Sequence, residues 1–146
     1  MPGLYRKAVF IIAYKISDNK IKYLLLKRKL HWKGWEFPKG GIETGEDMKK
    51  AAKRELNEET NQDAIKLISY NKSGKYKYEK EYADRPGFIG QTYSLFAAQV
   101  KGNNVKLDKK EHSEFKWLDF DSAFNKLKWL NQKVCLNIVN KSLIKK

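Results

Sequence analysis

The stretch GGIETGEDMKKAAKRELNEETN, residues 40–61, decides how this chain is read, because it gathers five glutamates inside a strongly basic sequence. Three of them, Glu55, Glu58 and Glu59, stand almost side by side, while the whole chain carries 31 Lys and Arg against 17 Asp and Glu, a net charge of +14. Helical character begins near Glu46, where Thr44 is placed to cap and Asp47, three residues on, to reach back. The pattern runs to about Thr60. Asn61 then stands where a left-handed residue ends a helix, a conformation Asn tolerates best after Gly. On a wheel of about 100° per residue, Met48, Ala51, Ala52 and Leu56 share the core face. Lys49, Lys50, Lys53 and Asn57 mostly take the other side. Glu55, Glu58 and Glu59 fall inside or beside the apolar arc, so they are expected to point toward the body of the protein. Glutamates three and four apart repel by about 0.2–0.5 kcal/mol per pair even in water, and more where water is excluded. Something positive is expected to offset that. The alternative is a solvated charged helix in which Glu58 pairs with Arg54 and the cluster has no task.

Upstream of this helix, YRKAVFIIAYKI (residues 5–16) and KYLLLKRK (22–29) have strand character, and the turn SDNK (17–20) joins them into a hairpin. LHWKGWEFPKGGIETG (30–45) is expected to be a loop. Downstream strands are expected at AIKLISY (64–70), near GKYKYEKEY (74–82), at GQTYSLFAAQV (90–100) and at EFKWL (114–118), before helical sequence from about Asp121 to the end. Mixed strands with one internal and one terminal helix predict an α/β sandwich. A length of 146 residues suits one domain, and no repeat or linker divides residues 1–146.

The longest apolar run, AVFIIAY (8–14), is too short to span a bilayer. With no signal-peptide pattern, a cytoplasmic protein without membrane partners is expected. Cys135 is the single cysteine, which rules out an internal disulfide and a multi-cysteine zinc site. It is expected to be a buried thiol in the terminal helix. His31 and His112 are too few for a histidine-rich metal site. Hard cations such as Mg²⁺, by contrast, prefer one or two carboxylates together with substrate phosphates. The lysines are scattered and form no dense arm, so the basic charge by itself does not designate a nucleic-acid groove.

Residues 40–62 resemble the Nudix box: G, five residues, E, seven residues, then R-E-U-x-E-E-x-G-U, with U aliphatic. Gly40, Glu46, Arg54, Glu55, Leu56, Glu58 and Glu59 match at the required spacing. Asn61 and Gln62 replace the closing Gly and aliphatic residue; Asn61 keeps the left-handed end, and Gln62 is expected to loosen local packing. The resemblance implies an α/β/α sandwich with a mixed sheet, hydrolysing a nucleoside diphosphate linked to another moiety with Mg²⁺ or Mn²⁺. It makes Glu58 and Glu59 metal ligands, Glu55 a ligand or the base, and the Gly40 carbonyl a further ligand. Arg54 would orient the acids. Family members often add a glutamate six residues before an aromatic residue of a late strand, which assigns Glu111, six before Trp117, with Glu114 in reserve. Glu43 and Glu46, at the helix start, are expected to complement its dipole.

A pyrophosphate link resists water because its oxygens repel a nucleophile, so cations must neutralise them and a carboxylate must accept a proton. Lys39 and Arg28 are candidates for fixed positive charge against the phosphates. Tyr76, Tyr78, Tyr82 and Tyr93 are candidates for stacking on a base. The segments GWEFPKGGIETGED and EHSEFKWLDFDSAFNKL resemble the subfamily that cleaves diadenosine tetraphosphate to ATP and AMP. RNA 5′-pyrophosphohydrolases share a similar Trp-x-Phe-Pro loop, and RNA is the alternative substrate. A non-catalytic nucleotide or RNA sensor is the alternative of another class, against which the intact acids speak. Monomer and homodimer are both left open.

Overall fold

The computed structural model describes residues 3–80 and 82–145. Strands β1 (Leu4–Ser17) and β2 (Lys20–Arg28) form the expected hairpin. Asp18 and Asn19 between them both take positive φ, 53° and 62°, as a two-residue turn that follows strand twist requires. Residues 8–14 of β1 are buried without a break apart from alternation between two faces, so both sides of this strand are covered. Val9, Ile11 and Ala13 join Leu24, Leu26, Phe96 and Ala98 beneath the helix α1 (Met48–Thr60), whose Ala51, Ala52 and Leu56 complete that layer. Phe10, Ile12 and Tyr14 join Tyr23, Leu25, Leu95 and Ala97 on the opposite face. There α2 (Phe120–Lys126) and α3 (Leu130–Ile144) cover them through Ala123, Cys135, Leu136 and Val139. The result is the expected α/β/α sandwich, with Cys135 buried.

The remaining strands are β3 (Gly34–Glu36), β4 (Lys39–Gly41), β5 (Lys66–Lys77), β6 (Phe88–Gln99) and β7 (His112–Leu118). The sheet runs β3-β2-β1-β6-β5, with β4 paired to β1 and β7 to β2. It is mixed: β1 and β6 are parallel, and the other pairs are antiparallel. Three expectations change. Residues 30–45 are not all loop, because β3 and β4 within them pair with β2 and β1 and so satisfy backbone groups laid against the sheet. The two strands expected over 64–82 are one strand, β5, with a register shift between Ser69 and Ser73; residue 81 lies outside the described residues. The terminal helical run is two helices, because Leu127 and Trp129 are extended and Leu127 bridges to Trp35.

At the C-terminal end of α1, Asn61 is left-handed as expected, at φ 61° and ψ 29°, with its N–H donated to the Asn57 carbonyl. Gln62 tightens this end instead of loosening it. Its side chain donates to the Asn103 carbonyl at 2.6 Å and accepts the Gly102 N–H at 3.0 Å, which ties the helix end to the loop after β6. Met48, expected in the core, is 46% exposed at the first position of α1. No helix among the described residues is long and apolar enough to cross a membrane.

Candidate active site

The helix that carries the acids starts two residues later than its sequence suggested. Asp47, not Thr44, is the N-cap, and its carboxylate accepts the Lys50 N–H at 2.8 Å, satisfying one of the orphan donors of the first turn. Glu46 is left outside the helix and turned toward Arg54, which donates to it from Nε at 2.8 Å and from Nη2 at 2.9 Å. This two-pronged pair is the strong kind of charge-assisted hydrogen bond. Hydrogen bonding from Arg54, then from the Glu43 N–H, holds the Glu46 carboxyl down at about 2. Glu46 therefore anchors Arg54 and does not serve the helix dipole. The same guanidinium donates to the Gly41 carbonyl at 2.8 Å and approaches Glu58 at 3.3 Å and Glu55 at 3.5 Å. Arg54 thus ties β4 and the turn after it to two of the acids.

Glu55 and Glu59, four residues apart, lie on one line of the helix and enter the interior, at 9% and 2% exposure. Glu58 flanks them with a half-exposed side chain. The Glu55 carboxylate lies against Gly40, where a Cβ would overlap it. Glu59 accepts the Lys39 N–H at 3.1 Å. Glu111, immediately before β7, reaches the same region and takes Arg28 Nη2 at 3.4 Å, whereas Glu114 turns outward to Lys27 at 3.3 Å. Burial pushes the Glu55 carboxyl up to about 8; Arg54 opposes this, and Glu58 and Glu111 add to it. Burial also drives Glu59 well above the usual carboxylate range, with Glu111, Glu36 and Glu55 adding to the rise. Burial first, and like charge second, disfavours ionisation of these two acids.

Such a donor set suits a hard divalent cation. Among the described residues no three His, Cys, Asp or Glu side chains already close into a metal cage. Mg²⁺ does not need one, since it keeps several waters and takes one or two carboxylates plus substrate phosphates. The Gly40 contact gives a direct test of how closely the acids are set. Gly40→Ala is expected to displace the Glu55 carboxylate and lower kcat by about 10- to 100-fold, the usual cost of disturbing a metal site's supports, with the circular dichroism spectrum unchanged. Normal turnover in that variant would mean that Glu55 has no fixed task.

The sequence matches the family described as NUDIX domain across residues 4–136. The chain belongs to the Nudix family. An RNA pyrophosphohydrolase of Nitratiruptor sp. is 30% identical over 123 residues, covering 79% of this chain and 79% of its own. The asymmetrical bis(5′-nucleosyl)-tetraphosphatase of Rattus norvegicus is 31% identical over 110 residues, covering 75% of this chain and 71% of its own. Among solved structures, a binary complex of the C. elegans Ap4A hydrolase is similar with a TM-score of 0.74 at 26% identity, over 97% of this chain and 99% of that one.

Around the Nudix box the other candidates separate. Lys39 points its ammonium between Glu36 Oε1, at 3.3 Å, and the Tyr76 hydroxyl, at 3.5 Å. Arg28 is 2% exposed. Its guanidinium is committed to Glu36 at 3.0 Å, the Leu30 carbonyl at 2.8 Å and Glu111, and its charge also acts on Glu59. Tyr78 and Tyr82 are half-buried and form a tilted pair at 5.2 Å, with Tyr82 stacked on His31 at 4.0 Å. Tyr93, contrary to expectation, is a core residue, 5% exposed and stacked on Phe10 at 4.0 Å, so its ring face is not available to a base.

Four residues near this Nudix site escaped the sequence reading. Arg6 donates to Gln91 Oε1 at 3.1 Å and crowds Gly41. Arg85 donates to the Tyr78 hydroxyl at 3.0 Å. Neither guanidinium has a carboxylate within ion-pairing distance among the described residues; burial first, then Arg85, lowers the pKa of Arg6. Glu36 and His112, both fully buried, hydrogen-bond each other at 2.8 Å. A lone acid in the apolar run WEFP was the available signal for Glu36, because a charge is rarely enclosed without partners. Arg6 had no such signal, since it sits at an ordinary basic position at the start of a strand.

Proposed function

We propose that this protein hydrolyses a dinucleoside polyphosphate, cutting diadenosine tetraphosphate asymmetrically to ATP and AMP, with Mg²⁺ or Mn²⁺ held by Glu55, Glu58, Glu59, Glu111 and the Gly40 carbonyl. The observation that carries this reading is the aromatic surface gathered around Lys39. Its ammonium lies 5.9 Å from the Trp32 ring and 5.9 Å from the Tyr76 ring. Trp32 meets Trp129 edge-on at 5.3 Å, with Lys128 over both rings. Tyr76 leads through Tyr78 to Tyr82 and on to His31, the chain neighbour of Trp32. A substrate with two bases joined by a phosphate chain calls for several rings beside a cation cluster, and stacking contributes about 1–3 kcal/mol per base. Lys39, Arg6 and Arg85 supply that cluster. Guanidiniums with no carboxylate in ion-pairing distance among the described residues match phosphate oxygens in geometry and charge.

When bound, the metal neutralises phosphate oxygens and acidifies the attacking water. A carboxylate of this cluster, Glu55 or Glu59, accepts that water's proton. As the water oxygen bonds to the phosphorus beside one adenosine, the bond from that phosphorus to the bridging oxygen breaks, so AMP and ATP separate and the proton passes to a carboxylate. Arg54 keeps Glu55 and Glu58 in register.

RNA 5′-pyrophosphohydrolysis is the second reading, favoured by the net charge of +14 and by relatives carrying that name. Product analysis with dinucleoside polyphosphates, nucleoside triphosphates and 5′-triphosphate RNA separates the two. Diadenosine tetraphosphate is expected to show the higher kcat/KM, to yield ATP and AMP, and to lose more from Lys39→Ala than from removal of lysines far from the box. A better RNA substrate, with log K falling against log salt by about 0.7 per phosphate contact and the slope shared among distant lysines, would replace this reading with the second.

A further inference from the structure

Glu36 plays no part in the hydrolytic scheme above, yet it is the most enclosed charge near the acids. It is 0% exposed and sits at the end of β3 between Trp35 and Phe37. Arg28 Nη1 and His112 Nε2 reach its Oε2 at 3.0 and 2.8 Å, and the Lys39 ammonium lies 3.3 Å from its Oε1. Taking such a group out of water costs several kcal/mol, and an apolar side chain of similar volume is often as stable or more so. Stability alone is therefore a poor account of it.

Its partners are distinguished by where they lead. Arg28 touches Glu36 with one terminal nitrogen and Glu111 with the other, at the longer distance of 3.4 Å. His112 adjoins Glu111 in the chain. The backbone of Lys39 hydrogen-bonds Glu59. Three elements, β2, β4 and β7, thus meet at Glu36 and each continues to an acid. We infer that Glu36 is a positioning residue that holds Arg28 closer to itself than to Glu111, so that the Glu111 carboxylate is only loosely engaged and can face a divalent cation. This inference rests on the reading of Glu111 as a metal-holding group. Without the Glu36 charge, Arg28 keeps Glu111 as its nearest anion and closes on it, and that carboxylate is then neutralised by protein.

The test is a double-mutant cycle read in two ways. Mn²⁺ binding is titrated by electron paramagnetic resonance, and kcat is measured at saturating Mg²⁺, for wild type, Glu36→Gln, Glu111→Gln and the double variant. Glu36→Gln is expected to weaken Mn²⁺ binding and lower kcat by about 10- to 100-fold each, as loss of an outer support does, and to change neither by more than about threefold in the Glu111→Gln background. Multiplying losses, unchanged Mn²⁺ affinity in Glu36→Gln, or a Glu111→Gln variant that binds Mn²⁺ normally would each overturn the inference. The titration needs no substrate, so a protein that binds Mn²⁺ in this pattern but turns over nothing in the panel would sink the proposed function alone. If Glu36→Gln does not fold, Arg28→Lys serves, because an ammonium keeps the charge but does not span two carboxylates as a guanidinium does. Held at Glu36, that ammonium no longer reaches Glu111, so the variant is expected to bind Mn²⁺ at least as tightly as wild type; weaker binding that persists in the Glu111→Gln background would also overturn the inference.

Discussion

Glu59→Gln is expected to lower kcat by a factor on the order of 10² to 10⁴, the range for a positioned acid–base group, while raising the melting temperature of the metal-free protein. The two effects share one cause. Glu59 is 2% exposed, and burial together with Glu111, Glu36 and Glu55 disfavours its negative charge. Glutamine keeps the oxygen that accepts the Lys39 N–H and removes only the charge, so the metal-free fold is relieved and the proposed cation site loses a ligand. Glu58→Gln provides the contrast: with a half-exposed side chain and Arg54 at 3.3 Å, it is expected to lose activity without gaining stability. Steady-state kinetics and differential scanning fluorimetry in chelator check both statements. Unchanged turnover, or a lower melting temperature in Glu59→Gln, would contradict the account.

The second expected result is a loss of stability in the metal-free protein as pH rises, reversed by Mg²⁺. The Glu55 carboxyl stands at about 8 in the folded chain against an ordinary 4.5, and Glu59 is shifted the same way. A raised carboxyl pKa means that the folded state holds protons the unfolded state has released. The contribution is therefore complete below about 4.5 and is lost as pH rises toward 8. His31, lowered chiefly by burial, has the opposite sign: its neutral form favours the fold as pH rises through its ordinary range. Two glutamates are expected to outweigh this one histidine. Glu36 does not act in this window, because Lys39, His112 and Arg28 overcome its burial and hold it at about 2, so its contribution is lost only in strong acid. In the proposed site Mg²⁺ would bind the ionised acids, and a ligand at 100 times its Kd stabilises by about 2.7 kcal/mol. The Mg²⁺-induced rise in melting temperature should therefore be greater at pH 8 than at pH 5, and the Glu59→Gln variant should show a shallower pH slope. A melting temperature indifferent to Mg²⁺ at pH 8, or full turnover in excess chelator, would remove the metal from the proposed function.

How much of this was legible in the chain follows from the range over which each feature is encoded. The acids of α1, the left-handed Asn61 and the burial of Glu55 and Glu59 were all readable from residues 40–61, because helix periodicity and capping chemistry act within one or two turns. Even there, one choice was not local: Glu46 belongs to Arg54 and not to the helix start, since the turn at residues 42–46 brings the two within 2.8 Å. The sequence by itself determined the family, the α/β alternation and the line of carboxylates along one helix. Only the tertiary structure decided that Tyr93 is core, that Gln62 seals a helix end, and that Arg28 serves carboxylates before it can serve a substrate. It alone also joined Glu36 to His112 across 76 positions of chain. A buried charge is stable only beside its counter-charges, and which counter-charges arrive is set by sheet pairing between distant strands, not by spacing within any one of them.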